Sequence, residues 1–183
     1  GTSSWISVAT KAPIFDPEKK TFTFAHVVPD YYIPTGTMQT GGGALSFAVK
    51  TLYGAPNGVT PYDKADIYRS VNEEVYASPL GAKGLVFLPY LMGERSPRWN
   101  DRARGSYVGL TMAHERGDML RAVMEGVGYN LGIILDTMRK NGSTIDSLIA
   151  VGGGARNPAF IDILGDILGV SMKVPSDLEE ATS

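Results

Sequence analysis

The 183 residues, 43% hydrophobic and 20% charged, suffice for one domain with a sizeable core or for one half of a two-lobed protein, and they exclude intrinsic disorder. Seventeen basic against nineteen acidic residues give a net charge of -2, so no basic field points to nucleic acid or to an anionic membrane. Cysteine is absent, which excludes disulfides, thiolate metal sites and thiol catalysis and fits a cytoplasmic protein; two distant histidines, His26 and His114, make a histidine-rich metal centre unlikely on spacing grounds.

The chain opens with Gly1-Thr2-Ser3-Ser4, without methionine or a targeting segment, and stops at Glu180-Ala181-Thr182-Ser183; it reads as a piece of a longer protein. No apolar run approaches the roughly 18 residues that span a bilayer. Residues 4 to 34 predict β structure: a strand over Trp5 to Ala9, a polar turn over Asp16 to Lys20, then period-two alternation in Thr21-Phe22-Thr23-Phe24. Pro29 and Pro34 are expected to end the strands. Ala44, Leu45, Ala48, Val49 and Leu52 have helical spacing, closed by Gly54. Thr60-Pro61 predicts the start of a second helix reaching about Ser78.

Gly84 to Leu88 predicts a short buried strand, Pro89 to Arg104 a loop, and Gly105 to Leu110 another strand. The clearest helix follows Gly117, with Asp118 as its expected cap and an apolar stripe from Leu120 to Met138. Gly126, Gly128 and Gly132 inside it each cost about 1 kcal/mol in helix propensity, which predicts a closely packed neighbour. A βαβ-like unit ends the chain: a buried strand over Ser147 to Val151, a helix opened by Asn157-Pro158 and stopped by Gly169, and a strand over Val170 to Val174.

Glycine is in excess, 22 of 183 residues or about 12% where about 7% is usual, and it clusters as Gly41-Gly42-Gly43 and Gly152-Gly153-Gly154. A strand feeding such a turn into a helix N-terminus offers backbone N–H groups and the positive end of a helix dipole. Val151 to Pro158 therefore reads either as a nucleotide contact, with Asn157 bonding a base or sugar, or as an ordinary turn capped by Asn157. Gly1 to Ser4 suits phosphate oxygens but equally a solvated β-turn. Glu94, Arg95 and Arg98 read as an anion site or, more commonly, a surface salt-bridge cluster. His114 reads as a loop residue, and Glu125 as a satisfied internal carboxylate.

Gly105-Ser106-Tyr107-Val108-Gly109-Leu110, then Asp118-Met119 and Ala122-Val123-Met124-Glu125, resemble the second signature of the FGGY carbohydrate kinases at every restricted position. Phe87 to Pro97 is similar to the xylulokinase and gluconokinase members, Val151 to Pro158 to the family's adenosine motif, and Gly1-Thr2-Ser3 to its second phosphate motif. The resemblance covers essentially the whole chain. It implies an α/β fold of the ribonuclease-H-like, actin-like ATPase class, here the second lobe, with ATP in a cleft between two lobes. On matching positions it implies that Thr2 approaches the terminal phosphates, and that Gly42 and Ser46 lie near phosphates or ribose. Some relatives have glutamine where Ser46 stands. Gly153, Gly154 and Asn157 are implied to hold the adenosine.

The same resemblance implies ATP and Mg2+ as cofactors and a small sugar as partner, the sugar bound through an N-terminal lobe outside this chain. A homodimer is a further expectation, and no nucleic acid or membrane partner is expected. The catalytic aspartate is expected upstream of Gly1, and a last Gly- and Ala-rich helix after Ser183. Residues 1–183 alone are therefore expected to be inactive. The implied reaction is phosphorylation of a ketopentose hydroxyl, with gluconate or another polyol as the alternative within the family. A non-enzymatic actin-like or scaffold domain is the alternative outside it.

Overall fold

Period-two alternation near the start of the chain produces one antiparallel sheet. A computed structural model of the protein describes residues 2–54 and 64–176. Strands β1 (Ser4–Ser7), β2 (Phe22–Ala25) and β3 (Tyr32–Met38) form this sheet in the order β1-β3-β2, with Ser4 opposite Met38 and Phe22 opposite Thr35. Pro34 does not end a strand as expected but lies inside β3. Its carbonyl accepts from the Val8 N–H at 3.2 Å, so its missing donor faces the side on which β1 has already ended at Ser7. The ladder there loses little, and proline is tolerated.

Helix α1 (Gly42–Leu52) begins two residues before the apolar spacing suggests, because the glycines themselves form its first turn. It buries Ala44, Leu45, Ala48 and Val49. Helix α2 (Lys64–Ala77) buries Ile67, Val71 and Val75; its expected start at Thr60-Pro61 lies outside the described residues. Strands β4 (Val86–Leu88) and β5 (Ser106–Val108) pair antiparallel.

Helix α3 (Arg116–Lys140) is the 25-residue centre of the domain, and the chain from Leu120 to Gly128 is buried without a break. Helices α1 and α2 and strands β3 and β4 pack on it. Against it also lies α4 (Pro158–Leu168), the helix of a right-sized βαβ unit whose strands β6 (Ser147–Ile149) and β7 (Ser171–Lys173) pair in parallel. Gly126 is required by packing: a Cβ there would strike the Phe87 carbonyl oxygen. At Gly128 it would stand 2.8 Å from Ile167 Cδ1. Gly132 is different, since a Cβ would make an ordinary 3.8 Å contact with Leu168. The expected close approach is therefore confined to the first two.

Two further expectations are corrected. Asp118 is not the N-cap of α3, which is Glu115; it sits in the first turn, and its carboxylate accepts from the Glu115 N–H at 2.9 Å. Ser147 to Val151 is not a buried strand, for Ile149 is 67% and Val151 43% exposed. On one face of the β6–β7 pair Ser147, Ile149, Ser171 and Lys173 are all exposed.

Glu125 is a satisfied internal carboxylate, as its sequence setting suggests. It accepts from Arg121 Nε at 2.8 Å and from the Gly81 N–H at 3.0 Å. Arg121 Nη1 in turn donates to the Val75 and Ser78 carbonyls at 3.0 and 3.1 Å. Removing one partner of a buried pair strands the other charge. Glu125→Ala should lower the unfolding free energy by about 3–5 kcal/mol, measured as a lower urea midpoint with an unchanged slope.

Candidate functional site

The head of β1 and the start of α1 meet at the first glycine cluster. The Thr2 carbonyl accepts from the Gly41 N–H at 2.8 Å and from the Gly43 N–H at 3.0 Å. So close a backbone approach leaves no room for side chains. A Cβ on Gly41 would run into the Ser4 hydroxyl, and one on Gly43 into the Thr2 γ-methyl. The first turn of α1 holds no acidic residue, so its positive dipole end is not offset by the helix's own side chains. Ser46 stands exposed one turn further along, its hydroxyl donating to the Gly42 carbonyl at 3.2 Å. Thr2, Gly42 and Ser46 thus form one group around one helix end.

Gly153, Gly154 and Asn157 form a second group. Gly152 has φ 88° and ψ -179°, a backbone state that suits glycine alone, and it leads into a 3₁₀ turn over Gly153–Arg156. Asn157 caps α4, its Oδ1 accepting from the Phe160 N–H at 2.8 Å. The capping reading of this residue therefore holds. The other end of the same amide is open: Asn157 is 6% exposed, and its Nδ2 finds no hydrogen-bond partner among the described residues. A buried donor in that state calls for a ligand or a water. Packing explains Gly154, whose Cβ would crowd the Phe160 ring at 3.3 Å, but not Gly153, whose Cβ would meet nothing within 4 Å.

Both groups rest on helices that pack against α3. Two surface clefts among the described residues lie elsewhere. One is lined by Glu74, Ser78, Lys83, Arg116 and Asp118, the other by Ile161, Asp162, Asp166 and Met172, and neither takes in a sequence-predicted site residue.

The Glu94 loop departs from the salt-bridge reading made of it. Glu94 is 4% exposed and accepts from the Gln39 N–H at 2.6 Å, the Arg95 N–H at 2.8 Å and Asn130 Nδ2 at 3.2 Å. Burial pushes its carboxyl above the usual range, and the Gln39 and Arg95 N–H groups oppose that rise. Arg98 instead bonds the Tyr90 hydroxyl at 2.8 Å. A surface salt-bridge cluster would need Glu94 in water. The sequence signal for burial was Asn130, a polar residue within the apolar run of α3. His114 is a loop residue, as expected, with Nδ1 accepting from the Thr111 N–H at 3.0 Å.

The C-terminal domain of the FGGY family of carbohydrate kinases matches residues 1–183. The chain belongs to this family. It is 33% identical to the xylulose kinase of Lactococcus lactis over 173 residues, 94% of this chain and 32% of that protein. It is 32% identical to the gluconokinase of Bacillus subtilis over 188 aligned positions, 99% of this chain and 35% of that protein. The ligand-bound xylulose kinase of Lactobacillus acidophilus superposes with a TM-score of 0.83 at 29% identity, covering 98% of this chain and 34% of that one. The chain therefore spans about a third of the length of these relatives. Its fold is that of the FGGY kinases, actin-like and ribonuclease-H-like.

The FGGY signature residues turn out to hold the scaffold. Tyr107 of β5 packs against Phe87 with ring centroids 4.7 Å apart and planes tilted by 52°, and it donates its hydroxyl to the Met119 carbonyl at 3.2 Å; burial pushes that hydroxyl up to about 12. Burial alone would raise the Asp118 carboxyl, but Lys83 Nζ at 2.8 Å, the Glu115 N–H and the Ser78 hydroxyl at 2.7 Å outweigh it and hold it at about 2. A carboxyl depressed in the folded state stabilises above its unfolded value and ceases to do so as pH falls through its folded value. Stability should decline between pH 3.8 and about pH 2, and Asp118→Asn should flatten that decline while lowering stability at neutral pH, as followed by urea midpoints across pH.

Proposed function

We propose that this chain is the nucleotide-binding domain of a complete sugar kinase that moves the γ-phosphoryl group of MgATP onto a hydroxyl of a ketopentose of the D-xylulose type. The observation that carries the reading is the meeting of Thr2 with Gly41–Gly43 at the positive end of α1. The Gly41 and Gly43 N–H groups are taken up by the Thr2 carbonyl and fix the turn, so the positive helix end and the Gly42 backbone are what this point offers a phosphate chain. The open Nδ2 of Asn157 supports the second contact, a hydrogen bond to the adenosine. In this assignment Thr2 and Gly42 face the phosphates and Ser46 lies beside them. Gly153 and Gly154 let the adenosine approach the backbone.

Phosphoryl transfer rests on placement and charge stabilisation rather than on covalent work by the protein. The share of this domain is to fix the nucleotide, so that its γ-phosphorus stands in line with the attacking hydroxyl. Mg2+, when bound, supplies positive charge between the phosphate oxygens. No group of three or more His, Asp or Glu side chains gathers among the described residues, so no protein-held metal site is assigned to this chain. The general base for the sugar hydroxyl is assigned to an N-terminal domain of the complete protein. The domain alone is accordingly proposed to bind nucleotide weakly and to lack kinase activity.

Gluconate is the second reading, since the gluconokinase of Bacillus subtilis aligns over 99% of this chain. A non-enzymatic role is not favoured, because the relatives that match are kinases.

A coupled ADP-release assay of the complete protein across a sugar panel should give its highest turnover with D-xylulose. Turnover confined to gluconate would move the reading to the runner-up, and no sugar-dependent ADP release would overturn it. In NMR titrations of residues 1–183 with ATP, Asn157→Ala and Gly154→Val should each diminish the nucleotide-induced shifts. Asn157→Ala should also cost about 1 kcal/mol through the lost helix cap, which a urea titration separates from the loss of binding. Unchanged shifts in both variants would mean that the adenosine lies elsewhere.

A further inference from the structure

We infer that Glu94 is a positioning residue for the nucleotide phosphates, acting through the backbone of the glycine turn that opens α1; this rests on the nucleotide reading above. The turn Gly41–Gly43 hangs between two attachments. On one side the Thr2 carbonyl holds the Gly41 and Gly43 N–H groups. On the other, the Glu94 carboxylate accepts the Gln39 N–H at 2.6 Å, two residues before the turn.

Side chains of the connecting residues do not do this work. Thr40 is 2% exposed, and neither its Oγ1 nor the side-chain oxygen of Gln39 has a hydrogen-bond partner among the described residues. The position of the segment therefore depends on backbone groups, and the acceptor facing them is Glu94.

Glu94 is itself held from three directions. The Arg95 N–H at 2.8 Å shares its Oε1 with Gln39, and Asn130 Nδ2 from α3 reaches its Oε2 at 3.2 Å. The Glu94 and Asn100 backbones exchange hydrogen bonds at 2.8 and 2.9 Å, and the Ser96 N–H donates to the Thr37 carbonyl at 3.0 Å. The carboxylate is thus a fixed post in the loop after β4, braced by the central helix through Asn130, to which the end of β3 is tied. A turn that must set the helix end against phosphate needs such a post, because a shift on the scale of 1 Å at a positioning contact can cost orders of magnitude in rate.

Steady-state kinetics of the complete kinase, with ATP varied at saturating sugar, test this. Glu94→Ala should raise KM for ATP on the order of tenfold with a much smaller change in kcat. Glu94→Gln keeps an acceptor oxygen for the Gln39 and Arg95 N–H groups, while the Asn130 amide can turn to meet the new NH2, so it should restore most of the loss. Glu125→Ala removes an equally buried carboxylate from the same helix bundle and should leave KM for ATP unchanged at temperatures where the protein is folded.

Three results would overturn the inference: an unaltered KM in Glu94→Ala, a Glu94→Gln enzyme as impaired as the alanine variant, or an equal rise in Glu125→Ala. Should Glu94→Ala fail to fold, Glu94→Asp keeps the charge but withdraws it by one methylene. A wild-type KM in that variant would also overturn the inference. A wild-type enzyme without ATP-saturable, sugar-dependent turnover would remove the nucleotide reading and this inference together, whereas normal wild-type turnover with an unaltered Glu94→Ala leaves the nucleotide reading standing.

Discussion

A helix buried from Leu120 to Gly128 without a break has no stable existence in water, and the domain is arranged as a cover for α3. Hydrophobic area drives that arrangement, but backbone proximity sets its dimensions. The Phe87 carbonyl of β4 lies where a Cβ of residue 126 would be, and Ile167 of α4 reaches the space above Gly128. With those two side chains absent, a strand and a helix close on the same stretch of α3. Burial of this depth also draws charged and amide side chains on α3 into partnerships. Asp118 meets Lys83 and Ser78, Arg121 meets Glu125, and the Asn130 amide reaches Glu94. These pairs connect α3 to the turn after α2 and to the loop after β4.

From that frame the two proposed nucleotide groups follow. Helices α1 and α4 are both fixed on α3; α1 begins in glycines, and α4 follows a glycine-led 3₁₀ turn. Their glycines differ in kind. At Gly41 and Gly43 the crowding comes from the protein itself, where β1 is drawn against the helix start. At Gly153 the protein does not fill the space, so internal packing does not require glycine there. The first pattern builds a rigid helix end, and the second leaves the backbone approachable. A phosphate chain wants fixed donors, and a planar base wants an unobstructed surface.

The most specific sequence pattern in the chain does not mark the site. Gly105–Leu110 and Asp118–Glu125 define the FGGY family, yet Tyr107, Asp118 and Glu125 all face inward and tie β5, the turn after α2 and α3 together. At such positions a buried charge or hydroxyl tolerates few substitutes. The proposed nucleotide contacts rely on backbone and on glycine, which leave a fainter pattern.

The sequence by itself determined the element order, the α/β class, the helix caps at Asn157 and Gly169 and the family, since these depend on local periodicity, on turn chemistry and on side chains named in a motif. Much of the site was legible as well, in the two glycine clusters. Other features depended on partners distant along the chain. The proline inside β3 was tolerable only because β1 stops short of it, and Asp118 yielded the cap to Glu115 while binding Lys83. Glu94, among arginines in a polar loop, looks like a surface residue until Asn130 and the Gln39 N–H are brought to it from 36 and 55 residues away. Burial and hydrogen-bond partnership across such separations are properties of the packed chain, and tertiary structure alone decided them.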